Sequence, residues 1–487
     1  MLFNSLDFAV FFPIVFLLYW VFSKKLTQRN MFILIVSYIF YGWWDWKFLS
    51  LIIISSFVDF YIGKRLGAEE NVKKRKYLLY VSLLVNLGFL IYFKYFNFFI
   101  ESFVDAFSLF GQELQINTLN IILPVGISFY TFQTLSYTVD IYKGKMKPTN
   151  DIVSFFAFVS FFPQLVAGPI ERASHLLPQF NKLYKFNYQQ VKSGLLLMLW
   201  GLFKKMVIAD RLAIFVNETY NNVGDYYGME FIIATVFFAF QIYCDFSGYS
   251  DIAIGIARTM GFDLMKNFDS PYFSKSITEF WRRWHISLST WFRDYVYIPL
   301  GGSRGGKYRT YLNLFLVFFI SGIWHGAAMT FVIWGAIHGI IIVLEKATQD
   351  LRKRTFAKIH LNKKTFFGNI FFTLTTFTIV CIAWIFFRAN SLKDGFAIIK
   401  KIFTFNTGDK SVYSEIGLDA PNFIAVLIFI VLMLLFEMTH KRYNMVKFIN
   451  NLPLLGRWSF YVVSAIVLIV FGVYGSHNQS QFIYFQF

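Results

Sequence analysis

Charge is scarce in this chain. Asp, Glu, Lys and Arg make up 15% of its 487 residues, where soluble domains carry about 25%. With 56% apolar residues and a mean hydropathy of +0.52, a water-soluble particle of this size is excluded, because its surface could not hide so much apolar area. Acidic residues are the rarer sign, 28 against 46 Lys plus Arg, which leaves a net charge of +18. Cysteine is nearly absent. Cys244 and Cys381 both fall inside apolar segments, which excludes a disulfide framework and a Cys-based zinc site. No phosphate loop, nucleophile elbow or internal repeat occurs, and the string Gly301-Gly302-Ser303-Arg304-Gly305-Gly306 lacks the Lys-Ser/Thr ending of a phosphate loop and reads as a hinge. The N-terminus has no basic region and no small-residue cleavage site, so residues 7–23 read as a retained first span.

Aromatic side chains are abundant instead, with 64 Phe, 28 Tyr and 12 Trp, a composition suited to lipid contact and interfacial belts. The fold class read from this composition is an all-α polytopic membrane protein. Its positive charge lies in short stretches between apolar runs, where the positive-inside rule accounts for it without nucleic acid. Apolar runs at 7–23, 31–44, 48–62, 77–100, 119–137, 193–216, 229–257, 366–387, 423–437 and 458–476 read as ten crossings. Lys24, Lys25 and Arg29, then Lys64 to Lys76, then Lys143 to Lys147 mark cytoplasmic loops, whereas 101–118 and 217–228 contain no Lys or Arg. This alternation places both termini outside.

Two further apolar stretches have no crossing left to make. The run 152–170 contains Pro163, Gly168 and Pro169 and reads as re-entrant, since broken backbone at membrane depth needs protein or water around it. The stretch 311–345 has Arg and Lys at both ends and reads as a hairpin whose tip is Trp324-His325-Gly326. Its 311–324 arm spans roughly 21 Å as a helix, too short to cross, which predicts a tip inside the membrane. The segment 391–404 reads as an amphipathic helix on the outer surface, with no legible partner. All of this fits one membrane-embedded domain, with N-terminal helices to about 150, a core over 151–345 and C-terminal helices beyond.

Ionisable side chains inside a bilayer are costly and mark candidate sites. At the hairpin tip, His325 has small neighbours, and an imidazole with a pKa near 6.5 can serve as a general base. A buried histidine pinned to a backbone carbonyl is the competing reading. In 280–302, helical spacing puts Trp281, Trp284, His285, Leu288, Phe292 and Tyr295 on one face of an interfacial helix, with Arg282 and Arg293 pointing elsewhere. Arg282, Arg283 and Arg293 can grip donor phosphates or touch lipid headgroups. In 243–251, Asp245 and Asp251 require partners, and nearby arginines are the expected ones in a structural ion pair. In 163–172, Gln164 and Glu171 can line a cavity, while the prolines and glycine shape backbone.

These clusters, in this order, resemble the membrane-bound O-acyltransferase family, in particular its bacterial polysaccharide branch of alginate O-acetyltransferase type. The strings that carry the resemblance are Gln164 to Arg172, Tyr243 to Asp251, Phe280 to Gly302 and Ser321 to Gly326, followed by the ending Gln481-Phe482-Ile483-Tyr484-Phe485-Gln486-Phe487. The resemblance implies a helical bundle with a central funnel. It implies His325 as the catalytic histidine and His285 as the second histidine of this branch. Trp281, Arg282, Arg283, Trp284, Arg293, Trp324, Asp245 and Gln164 are the candidates for lining the site or binding the donor.

The resemblance further implies acetyl-CoA or another acyl thioester as donor substrate, with no bound cofactor or metal. A polysaccharide acceptor and a separate extracytoplasmic partner of serine-hydrolase-like fold complete the expected set. Tyr484 is the one nucleophile in the terminal aromatic string and is read as a possible acyl relay, against an aromatic anchor in the headgroup belt. D-alanyl transfer to teichoic acid is the neighbouring enzyme reading. A transporter of a carrier-linked substrate would show paired broken helices in two similar halves, which this sequence lacks.

Overall fold

The computed structural model describes residues 1–108, 118–119, 121–166, 168–363, 365–404, 416–440, 445–474 and 482–483. Helices begin where the sequence supplies caps. Ser5 accepts from Phe8 N–H, Asn71 from Lys73 and Lys74, Asp151 from Val153 and Ser154, and Thr365 from Gly368, which satisfies donors a first helical turn leaves open. No strand occurs among the described residues. Seven helical stretches there are long and apolar enough to cross a membrane: Leu26–Ala68, Val72–Ser108, Gly228–Thr259, Met329–Ala347, Phe366–Arg388, Ala420–Thr439 and Leu454–Phe471. Leu26–Ala68 covers 43 residues and contains the two expected crossings 31–44 and 48–62, joined by the tight turn Trp46–Phe48. The expected crossing at 119–137 is helical only over Ile127–Tyr142.

The chain divides into two compact units, residues 1–198 with 252–265, and residues 199–251 with 266–487. In the first unit the run 152–170 is broken as expected. Helix Ile152–Ser160 stops at Phe161, and the short helix Phe162–Leu165 carries Pro163 in its first turn. The freed Phe162 N–H donates to Ser37 Oγ at 3.1 Å. Glu171 is buried, and its carboxylate accepts from the Met265 N–H at 2.5 Å and pairs with His175 Nδ1 at 2.7 Å, which fastens one loop to another. That contact holds the half-exposed His175 imidazole above its ordinary range. Gln164 is buried in this unit, in helix Phe162–Leu165.

The first unit also holds a carboxyl group that hydropathy passed over. Asp59 is buried in helix Leu49–Ala68 and accepts from Ser82 Oγ at 2.6 Å and Asn86 Nδ2 at 2.8 Å. Asn86 Oδ1 in turn accepts from Ser55 at 2.6 Å and Thr134 at 3.2 Å. Two neutral donors on helix Val72–Leu90 thus solvate it, and Ser55 and Thr134 hold one of them in turn, as a buried polar group requires.

The second unit contains the hairpin. Its first arm is helix Gly306–His325 and its second Met329–Ala347. The first arm therefore has 20 residues rather than 14, about 30 Å, which is enough for a full hydrocarbon thickness. Hydropathy started it too late because Lys307 and Arg309 occupy the first turn, where long cationic side chains reach for the interface. The arm's length therefore does not hold the tip at half depth. The amphipathic helix is present as Leu392–Thr404, and its partner is the 223–228 loop: Lys401 Nζ donates to Val223 O at 2.6 Å and Tyr226 O at 2.7 Å.

Candidate active site

Within the second unit, the two arms of the hairpin touch backbone to backbone. A Cβ placed on Gly322 would lie 2.5 Å from Phe331 O and 2.9 Å from Gly335 Cα, and one on Gly335 would lie 2.6 Å from Phe318 O. Only glycine permits this approach. Asn313 ties the arm to the glycine-rich turn by donating to Leu300 O at 3.2 Å and Gly302 O at 2.9 Å. The outcome is a rigid hairpin with His325 as the last residue of its first helix. His325 is buried, with ring centroids of Trp324 at 4.9 Å, Trp334 at 5.0 Å and Phe387 at 5.6 Å. Trp334 stacks on Trp384 at 5.7 Å, so the walls around the imidazole are themselves fixed.

The second histidine stands opposite. The imidazoles of His285 and His325 lie 6.4 Å apart, brought together from positions 40 residues apart in sequence. The expected single helix over 280–302 is not what carries His285. Helix Ile277–Arg283 ends, His285 adopts φ 43° and ψ 56°, and helix Ile286–Phe292 begins. A non-glycine residue in this left-handed region costs about 1–3 kcal/mol and needs its surroundings to hold it there. Asn267 does so three times over. Its carbonyl accepts from Ile286 N–H at 2.9 Å, and its side-chain Oδ1 accepts from Ser287 Oγ at 2.9 Å and meets His285 Nδ1 at 3.0 Å. Asn267 Nδ2 donates to Ser250 Oγ at 3.1 Å. The Ser287 backbone N–H, which can only donate, also points at Oδ1 at 3.4 Å, so the proton lies on His285 Nδ1 and the neutral ring keeps its lone pair on Nε2.

The break turns the aromatic residues of this segment inward. Trp284 is buried against Trp384 at 5.2 Å, and Trp281 donates from Nε1 to His338 Nδ1 at 3.2 Å. His338, on the second arm, is a third buried histidine beside Trp334, at 5.1 Å, and the sequence reading did not single it out. Its only legible signal was a place on the stripe Phe331, Trp334, His338, Ile342. The three arginines face other surroundings. Arg282 and Arg293 are exposed, Arg293 pairs with Asp294 at 2.8 Å, and Arg283 pairs with Glu279 at 2.5 Å.

The partners of the two intramembrane aspartates are lysines, not arginines. Lys205 lies 2.8 Å from Asp245 and 2.8 Å from Asp210, and Lys204 lies 2.6 Å from Asp251. Both lysines sit in a widened helical segment, Phe203–Ala209. The chain approaches closely there, since a Cβ on Gly248 would lie 2.7 Å from Gly201 O, and neighbouring lysines can reach around it to opposite sides. In the sequence they interrupt the apolar run 193–216, and no spacing there reports their pairing. Tyr484 lies outside the described residues. Phe482 and Ile483, just before it, are buried in this unit, Phe482 against Tyr249 at 4.4 Å and Phe246 at 5.8 Å.

A buried imidazole ringed by aromatic side chains can, in its neutral form, take a proton from a hydroxyl. Residues 149–387, which include both histidines, match the membrane-bound O-acyltransferase family profile. Over 503 aligned positions, the whole of both chains, the protein is 37% identical to "Probable alginate O-acetylase AlgI" of Pseudomonas putida. The chain belongs to the membrane-bound O-acyltransferase family. Other relatives in this family include a peptidoglycan O-acetyltransferase of Helicobacter pylori, 36% identical over 82% of this chain and 79% of its own. A teichoic acid D-alanyltransferase of Bacillus subtilis is 28% identical over 56% of this chain and 70% of its own. As a membrane-bound O-acyltransferase, the protein is a multi-pass membrane enzyme that transfers acyl groups.

Proposed function

We propose that this enzyme takes an acetyl group from a cytoplasmic thioester such as acetyl-CoA and delivers it for O-acetylation of a polysaccharide outside the cell membrane, an alginate-like exopolymer or peptidoglycan. The observation that carries the reading is the facing pair His325 and His285, 6.4 Å apart and buried among aromatic rings. Identities of 36–43% to proteins named for O-acetyl transfer favour acetyl over D-alanyl, for which the identity is 28%.

His325 acts as general base. It takes the proton of an acceptor hydroxyl while the hydroxyl oxygen bonds to the thioester carbon. The C–S bond breaks, and the thiolate recovers the proton from the imidazolium, so the histidine ends neutral. His285, its Nδ1–H held by Asn267, positions donor or acceptor through Nε2. Arg282 and Arg293, both exposed, supply guanidinium groups that can grip donor phosphates. The immediate acceptor in this reading is the Tyr484 hydroxyl, which follows the buried pair Phe482 and Ile483 in sequence and hands the acyl group, as a phenolic ester, to a separate extracytoplasmic partner of serine-hydrolase-like fold.

The test is ester-linked acetate on purified extracellular polymer and on cell wall, wild type against His325→Ala at equal membrane expression. Loss from one polymer is expected and names the acceptor. Acetate unchanged on both, with D-alanine esters lost instead, would replace acetyl by D-alanyl. Full polymer acetylation in a Tyr484→Phe strain would remove the relay.

A further inference from the structure

Lys205 and its two carboxylates do more than staple helices together. Asp245 Oδ1 faces Lys205 at 2.8 Å, while its other oxygen, Oδ2, accepts the backbone N–H of Ile483 at 2.8 Å, a buried contact 238 residues away in sequence. An ion pair between helices has no need of this second bond. A carboxylate already anchored by a lysine offers a fixed, charged acceptor, and a hydrogen bond to such an acceptor is stronger than one to a neutral oxygen. The same turn of helix Gly228–Thr259 supplies the rest of the seat. Phe482 packs against Tyr249 and Phe246, and the Phe246 ring stands edge-on to His285 at 4.6 Å. One helical turn therefore holds the end of the chain on one side and the second histidine on the other.

We propose that Lys205 and Asp245 form a clamp that fixes Phe482–Ile483 in register against Phe246, the ring that packs on His285, so that Asp245 is a positioning residue for acyl transfer. This rests on the reading of the histidine pair as the transfer site. The clamp grips main chain, so its specificity is for a backbone N–H at position 483 and not for the side chain there.

That distinction supplies the test. Ile483→Pro deletes the N–H and leaves the ion pair in place, whereas Ile483→Ala keeps the N–H and shortens the side chain. Acetyl transfer to polymer is measured in membranes with acetyl-CoA as donor. The clamp predicts that Ile483→Pro and Asp245→Val each lower kcat by about tenfold or more, with KM for acetyl-CoA within about twofold. The double variant should fall no further than the worse single one, because both remove the same bond. Ile483→Ala should stay within about threefold of wild type. A wild-type rate for Ile483→Pro, or a double variant whose losses multiply, overturns the clamp. Asp245→Val can lose rate by misfolding, and Ile483→Pro at normal membrane level decides the matter in that case. His325→Ala, run alongside, separates the two readings: its full activity would overturn the site itself, whereas its loss beside an unaffected Ile483→Pro overturns the clamp alone.

Discussion

Replacing Gly322 by Ala tests whether hairpin geometry sets the reaction. The added Cβ would lie 2.5 Å from Phe331 O, where ordinary contact begins at 3.4 Å, so the arms must part by about 0.9 Å. The atoms it meets are backbone, in Phe331 and Gly335, so no side chain can swing aside. Gly322 sits one turn before His325, and Trp334, against which His325 packs, precedes Gly335 directly. Parting the arms there moves the imidazole relative to its own wall. Overpacking of this kind costs about 1–3 kcal/mol of stability, and a misplacement of about 1 Å costs about 100-fold in rate. Acetyl transfer in membranes should fall by about that factor while the protein still reaches the membrane. Gly88→Ala is the matched control, since a Cβ there meets nothing within 4 Å and the position lies in the middle of the helical stretch Val72–Ser108. A Gly322→Ala enzyme with wild-type kcat would show that close approach of the two arms does not set the reaction.

Other substitutions separate roles. Asn267→Ala removes the acceptor for His285 Nδ1 and Ser287 Oγ; kcat should drop about tenfold or more, with Asn267→Asp recovering part of it by keeping an acceptor. Equal rates for Asn267→Ala and wild type would show that the His285 tautomer is irrelevant. Lys205→Met leaves Asp245 and Asp210 buried without their shared cation, a loss of about 3–5 kcal/mol that should appear as low membrane yield and a lower melting temperature in detergent. Asp59→Leu strips Ser82 and Asn86 of an acceptor and should destabilise by about 1–3 kcal/mol, yet leave the rate per folded molecule unchanged. A loss of rate at full folding would move Asp59 into the mechanism.

The parts of this fold that follow from lipid solvation were legible in the sequence. Apolar runs located many of the helices, Pro163, Gly168 and Pro169 marked the break in 152–170, and loop charge required 311–345 to fold back on itself; the structure shows both the break and the hairpin. The tip histidine followed from that hairpin. What stayed hidden depends on single long-range contacts. The break at His285 is imposed by Asn267, 18 residues earlier, and no periodicity reports a left-handed backbone at a histidine. Spacing placed Trp281 and Trp284 on one continuous helical face, and the break reassigned them to a core around His338 and Trp384. Lys204 and Lys205 were visible as residues but not as partners, because a widened helical segment changes which faces they present. Asp59 was missed because its solvation comes from Ser, Asn and Thr, which hydropathy scores as mildly unfavourable and not as a site.

Whether His325 is the base of the transfer is measured most directly by thiol release from acetyl-CoA coupled to polymer acetylation, in membranes that carry wild type, His325→Ala or His285→Ala at matched protein level. With His325 as the base, His325→Ala abolishes both signals and His285→Ala lowers them while leaving residual turnover. Undiminished thiol release and polymer acetate with His325→Ala would contradict that role.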